Sequence, residues 1–141
     1  MASTAAESTT TTPTIEETRE RFSHDRFATE ACGCSVIEAS EGHSVCAFDV
    51  ASVHFNARGA VMGGAIFTLA DFALAVASNY SSAAVSVTNT IEFMSAPRGK
   101  RLIATCDANK NGRTLGFYTV EVCDELKTPV ARMAATCYRI R

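Results

Sequence analysis

Residues 61–79 read VMGGAIFTLADFALAVASN. After two glycines, residues 65–77 run through Ala, Ile, Phe, Leu and Val with only Thr68 and Asp71 interrupting them. Beginning at Gly63 it is about seventeen residues long, rich in Ala and Leu, and too long for a typical strand, so it predicts a buried helix. A carboxylate inside such a helix needs a reason. Removing an ionised acid from water costs several kcal/mol, on the order of 5 or so, unless hydrogen bonds or a cation compensate. Asp71 therefore either turns to solvent, caps a neighbouring element, or borders a cavity in which an acid serves as a base or nucleophile.

Outward from the helix, the hydrophobic period changes. Downstream, AVSVTNTIEFM (residues 84–94) alternates Val85, Val87, Ile91 and Phe93 against Ser86, Thr88, Thr90 and Glu92, a strand pattern. Three more strands are expected near 101–109, 114–124 and 129–140, separated by turn-rich SAPRGK and DELKTP and by an Asn111-Gly112 hairpin signal. Upstream, residues 34–55 predict two strands around a turn at Glu41-Gly42, the second with Cys46, Phe48 and Val50 at period two. Thr14 and Glu17 have capping-box spacing before a short amphipathic helix starting near Ile15. The order is strand, strand, long helix, then four meandering strands: an α+β fold in which antiparallel sheet curls over one apolar helix.

The 141-residue chain, 47% apolar and 20% charged, fits one soluble globular domain over 14–141, preceded by a disordered Ser/Thr-rich tail at 1–13. A net charge of −2 gives no basic field, which argues against nucleic acid as a partner. The longest apolar run is too short for a membrane span, and the N-terminus has neither a signal nor a transit pattern, so a cytoplasmic location is expected. Six cysteines within alternating apolar patterns predict free thiols. The pair Cys32 and Cys34 lacks the remaining ligands of a zinc site, so no metal and no cofactor is expected.

Gly63 and Gly64 stand at the start of the long helix, where amides have no intrahelical partner and sit at the positive pole. Without Cβ atoms they admit a carbonyl closely, and such donors stabilise an oxyanion. Asp71 lies eight residues on, about 12 Å along the axis, so one chain would struggle to bring both to one reacting carbonyl. That separation suggests a two-fold pair of subunits, the glycines of one facing the acid of the other.

The runs HFNARGAVMGGAIFTLADFALAVASN and AVSVTNTIEFMSAPRGKRLIATCDANKNGRTLGFYTVEV resemble the hotdog-fold acyl-CoA thioesterases of the phenylacetyl-CoA thioesterase type, over about residues 30–140. The resemblance implies a hotdog fold, a long central helix wrapped by a curved antiparallel sheet, and hydrolysis of an acyl-CoA to acid and CoA at a site shared by two subunits. It implies homodimers that assemble further into tetramers. On the matching positions, Asn56 would help hold water or thioester, the Gly63 amide would polarise the thioester carbonyl, and Asp71 would be general base or nucleophile. Ser86 would orient water, with Thr88 as the alternative register. Gly64, Met62 and Arg113 would border the substrate, Arg113 (and less so Arg98) near the CoA arm. The family pattern has His before the two glycines; here Met62 can neither donate nor accept a useful proton. His54 nearby reads as a structural residue. A second reading is therefore a hotdog dimer that binds acyl-CoA without efficient turnover; a hydratase is a weaker third, since no His pairs with Asp71. Phe67, Phe72 and Phe93 are read first as core.

Overall fold

The structure is a computed structural model and describes residues 11–141. The expected tail at 1–13 falls mostly outside the described residues. Helix α1 (Ile15–Phe22) begins at Thr14, whose hydroxyl accepts from the Glu17 N–H while the Glu17 carboxylate accepts from the Thr14 N–H, the capping box read from sequence. A π-helical turn, Phe27–Ala31, follows and leads into β1 (Ser35–Ser40) and β2 (His43–Asp49), paired around Gly42 with φ +70°. Helix α2 (Gly63–Ser78) occupies the segment expected for it. Then come β3 (Ala84–Phe93), β4 (Arg101–Asn111), β5 (Leu115–Asp124) and β6 (Pro129–Arg139).

All six strands form one antiparallel sheet, ordered β1-β2-β4-β5-β6-β3. Only β4, β5 and β6 meander. β3 lies at the far edge beside β6, and the 94–100 connection crosses the sheet end to reach β4, which corrects the expected run of four neighbouring strands. Local alternation marks a strand but carries no information about which distant strand it pairs with.

The sheet curls around α2, which touches every strand. This is the hotdog arrangement implied by the sequence. Ala70, Ala73 and Ala77 are wholly buried and let the strands approach closely, while Leu69, Phe72 and Leu74 fill the space between, each contributing about 2 kcal/mol of burial. From the sheet side, Phe48, Leu102, Tyr118, Val120 and Met133 close the core.

The two ends of α2 are treated differently. At the C-terminus, the Arg139 guanidinium donates to Ser78 O at 3.0 Å, and that of Arg21 to Asn79 O, so cations satisfy the last carbonyls. At the N-terminus no side chain caps the helix.

The crossover 94–100 is held by two adjacent acids. Buried Asp124 accepts from the N–H groups of Arg98 and Gly99 at 2.8 Å each, and from those of Leu126 and Thr128. The Glu125 carboxylate accepts from the N–H groups of Lys100 and Arg101. These bonds hold the Asp124 carboxyl far below the usual range, its burial notwithstanding. All six cysteines are free, as expected. Among the described residues no helix is long and apolar enough to cross a membrane.

Candidate functional site

The loop before α2 is built from its own polar groups. The Asn56 side-chain oxygen accepts from the Arg58 N–H at 2.9 Å and the Ala60 N–H at 3.1 Å, closing a tight turn with Gly59 at φ +79°. Only the Asn56 amide N–H₂ is left to donate outward. Phe55 bridges to Val61, and the Met62 N–H donates to His54 O at 2.8 Å, which brings Asn56 and the glycines to the same end of α2.

His54 anchors this loop from beneath. Its ring is buried and stacks on Phe48 with centroids 4.1 Å apart. The Ala51 N–H donates to Nδ1 at 2.9 Å, so Nε2 carries the proton and donates to Cys32 O at 2.7 Å. The structural role read for His54 is what the geometry displays.

At the helix start, the Ala65 and Ile66 N–H groups both donate to Met62 O, leaving the Gly63 and Gly64 amides without a protein acceptor among the described residues. Met62 is half-exposed, and its Cε would stand 3.3 Å from a Cβ on Gly64. The ring of Phe93 lies equally close, 3.3 Å, to a Cβ built on Gly63. Gly63, Phe93 and the crossover residues Met94–Pro97 line a hollow of about 280 Å³. Phe93 is therefore a wall of this hollow and 54% exposed, rather than core. Phe72 is core, and Phe67 is half-buried.

Asp71 lies two turns further along, beyond contact with the Gly63 amide of its own helix. It is half-buried, and among the described residues its carboxylate accepts no hydrogen bond. Burial raises its pKa above the ordinary carboxylate value, and the nearby charge of Asp25 raises it further. It opens on a cleft of about 550 Å³ whose other wall is the segment Asp25–Ala28 before and within the π-helical turn.

Ser86 reaches this side of the sheet through a defect in β3. Ser86 pairs with Cys137 and Thr88 with Thr136, so Val87 is an extra residue, a β-bulge. Cross-strand partners share a face. Ser86, opposite buried Cys137, thus points inward, as do Asn89, Ile91 and Phe93, opposite Ala135, Met133 and Ala131. Thr88, opposite Thr136, points outward. The strict alternation expected for this strand is corrected accordingly: Val85 and Val87 are exposed and take no part in the core.

Arg113 is exposed in the β4–β5 loop, beside the C-terminal end of α2: its neighbour Thr114 accepts at O from the Arg139 N–H, and the Arg139 guanidinium reaches Ser78 O. That places it at the opposite end of a 16-residue helix from Gly63, roughly 24 Å away by helical rise. Among the described residues the guanidinium of Arg98 makes no hydrogen bond or ion pair; its backbone serves the Asp124 clamp.

Sequence reasoning missed two features. Asp25 was invisible because an acid before a helical turn reads as a cap, yet here its side chain caps nothing. Asn89 places an amide oxygen with no hydrogen-bond partner on the inner face of β3; Asn is disfavoured within strands, which was the available signal. Among the described residues no cluster of His, Cys, Asp and Glu could hold a metal ion.

A model of the thioesterase superfamily matches residues 58–130. The acyl-coenzyme A thioesterase PaaI of Escherichia coli is 31% identical over 123 residues, 83% of this chain and 88% of its own. The solved structure of that protein superposes with a TM-score of 0.79 at 27% identity, covering 91% of this chain and 97% of that one. A Deinococcus radiodurans relative is 38% identical over 94 residues, which span 66% of this chain and 64% of its own length. A Streptococcus mutans protein solved with acetyl CoA is 25% identical, with a TM-score of 0.71 over 76% of this chain and 88% of that one.

Proposed function

Since the chain belongs to the thioesterase superfamily, we propose that it hydrolyses an acyl-CoA thioester to a free acid and CoA at a site completed by a second copy of itself. The observation that carries this reading is the pairing of uncapped helix amides at Gly63 and Gly64 with an unpartnered, half-buried carboxylate about 12 Å further along the same helix. The two groups have complementary chemistry and cannot meet on one carbonyl within one chain.

A two-fold neighbour supplies the missing half. β3 is an edge strand of ten residues whose outer side carries no partner among the described residues. Pairing two such edges antiparallel would set α2 beside its symmetry mate running the other way, with Gly63 of one protomer toward Asp71 of the other. The thioester carbonyl would accept from the Gly63 amide, aided by the free N–H₂ of Asn56. From the opposite side Asp71 would take a proton from water, or attack directly to give an anhydride, with inward-facing Ser86 placed to hold the water. Arg113, beside the C-terminal end of its own α2, would come near the partner's helix start and the phosphates of the CoA arm. The reaction uses water and needs no cofactor. Assembly of dimers into tetramers and a cytoplasmic location complete the proposal.

Met62 favours a second reading, acyl-CoA binding without efficient turnover, because it brings no proton to the position beside the glycines. A screen of aryl- and fatty-acyl-CoAs with wild type and Asp71→Asn separates the two. The enzymatic reading expects hydrolysis that falls at least a hundredfold in the variant while CoA binding persists. No hydrolysis by wild type, or equal rates in both, rejects it. In H₂¹⁸O, single-turnover label in Asp71 marks direct attack with loss of CoA thiolate, water then opening the anhydride at the Asp71 carbonyl. A fully active monomer by sedimentation would reject the shared site.

A further inference from the structure

The cleft beside Asp71 contains a second carboxylate that the reaction as described leaves unused. Asp25 stands just before the helical turn that follows α1, where its backbone oxygen accepts from the Thr29 N–H at 2.9 Å. An Asp at such a position ordinarily bends back to cap the free amides of the turn. Here its carboxylate makes no cap, accepts no hydrogen bond and pairs with no cation among the described residues; instead it lines the cleft that Asp71 opens on.

We infer that Asp25 is a positioning residue that acts through Asp71: the two acids share one cleft, and Asp25 sets the charge against which Asp71 ionises. The inference rests on the proposed role of Asp71 in hydrolysis.

The groups around Asp71 leave Asp25 as the charge that matters. Arg26 also lines the cleft, but its guanidinium is held by the Glu30 carboxylate through Nε and Nη2, each at 3.0 Å. That internal pair largely cancels its field. Thr68 is neutral, and its hydroxyl donates to Gly64 O. From β6, the Cys137 thiol is pushed up by burial and stays neutral at physiological pH. The remaining walls, Phe27 and Phe67, are apolar and make charge repulsion felt across the cleft. Like charges disfavour the ionised form, so Asp25 adds to the effect of burial in making Asp71 hold a proton more tightly. A base of higher proton affinity abstracts the proton of water faster at a pH where it is still ionised. The acid before the turn thus gives up a capping bond and helps tune the residue that does the chemistry.

The test uses the full chain and two independent readouts. The first is the ¹³C carboxyl titration of Asp71 by NMR in the substrate-free protein, for wild type, Asp25→Asn and Asp25→Glu. The second is the pH profile of kcat/KM for a hydrolysed aryl-acyl-CoA. In Asp25→Asn the Asp71 midpoint and the acid limb should both move to lower pH, and the plateau rate should fall a few-fold. Asp25→Glu should restore most of both. A wild-type titration at low and high salt gives the same information without a variant, since screening should lower the midpoint. An Asp71 midpoint unmoved by Asp25→Asn and by salt overturns the inference. So does a moved midpoint with an unmoved acid limb. If wild type hydrolyses no acyl-CoA, the proposed function fails, while the NMR titration still decides whether Asp25 acts on Asp71.

Discussion

Replacing Gly63 with Ala separates the chemistry of the helix start from its stability. Gly63 has no left-handed φ, so alanine fits its backbone. An added Cβ would meet Phe93 Cζ at 3.3 Å and Cε1 at 3.5 Å. Phe93 is 54% exposed, so its ring can give way by the few tenths of an ångström required at almost no cost. Against that stands the gain from a less flexible unfolded chain, about 0.4–1 kcal/mol for Gly→Ala at a compatible site. The net expectation is a fold as stable as wild type or up to about 1 kcal/mol more so, a rise in Tm of about 0–4 °C. The methyl group, however, occupies the space through which a thioester oxygen would approach the amide. Partial loss of one oxyanion donor should lower kcat/KM at least tenfold, with full loss reaching about 10²–10³. Thermal unfolding and acyl-CoA hydrolysis measured on the same preparation decide it. Full activity in Gly63→Ala would remove that amide from the mechanism; activity lost in proportion to stability would show that the glycine serves packing alone.

Three further outcomes follow from the polar contacts. His54→Phe keeps the stack on Phe48 but leaves Cys32 O without its donor, so urea unfolding should show a loss of about 1–3 kcal/mol; a loss under about 0.5 kcal/mol would mean that water replaces the imidazole. The His43 ring faces two carboxylates, Asp107 at 2.7 Å from Nδ1 and Glu38 at 3.2 Å from Nε2, and donates to both when protonated; these partners, Asp107 foremost, raise its pKa above 6.5. Its contribution is therefore complete below pH 6.5 and lost as pH rises through the elevated folded value. His43→Gln should be less stable than wild type at pH 5.5 and nearly equal at pH 8.5. Asp124 has the opposite sign: its depressed pKa gives stability that is present above the ordinary carboxylate range and lost on acidification toward the depressed folded value. Asp124→Asn should unfold at lower urea than wild type at pH 7, and the difference should shrink as pH falls below 3.8 toward that value. A constant difference from pH 7 to pH 2 would contradict the assignment.

What could be read from the sequence was whatever short-range pattern determines. The length and apolarity of 63–78 marked α2, Thr14 and Glu17 marked the start of α1, and Gly42 marked a turn that needs a left-handed residue. The place of β3 beside β6 was not legible, because strand pairing over some 45 residues leaves no trace in local alternation. Nor was the bulge at Val87, which reverses the phase of the strand midway: four apolar residues looked like one face, and two of them lie on the other. The separation of Gly63 and Asp71 was legible because a helix converts sequence separation into distance, whereas Asn56, in the loop before α2, was marked only by the resemblance. That Asp25 and Asp71 line one cleft depends on how separate segments fold against each other, which no single segment encodes.

The unequal ends of α2 also shape its field at a distance. A helix with both ends open is a dipole, and its potential falls off quickly because the two poles oppose each other. Arg21 and Arg139 set full positive charges on the carbonyl end, more than enough to cancel its half-unit of negative charge. The amide end has no such counterweight. Seen from solvent, α2 therefore has no negative pole: the arginines make the carbonyl end positive, and the bare amides of Gly63 and Gly64 keep the other end positive with no opposing pole to weaken it, out to the roughly 8 Å at which ionic screening damps the field. A polyanionic thioester would meet that field before it made any contact.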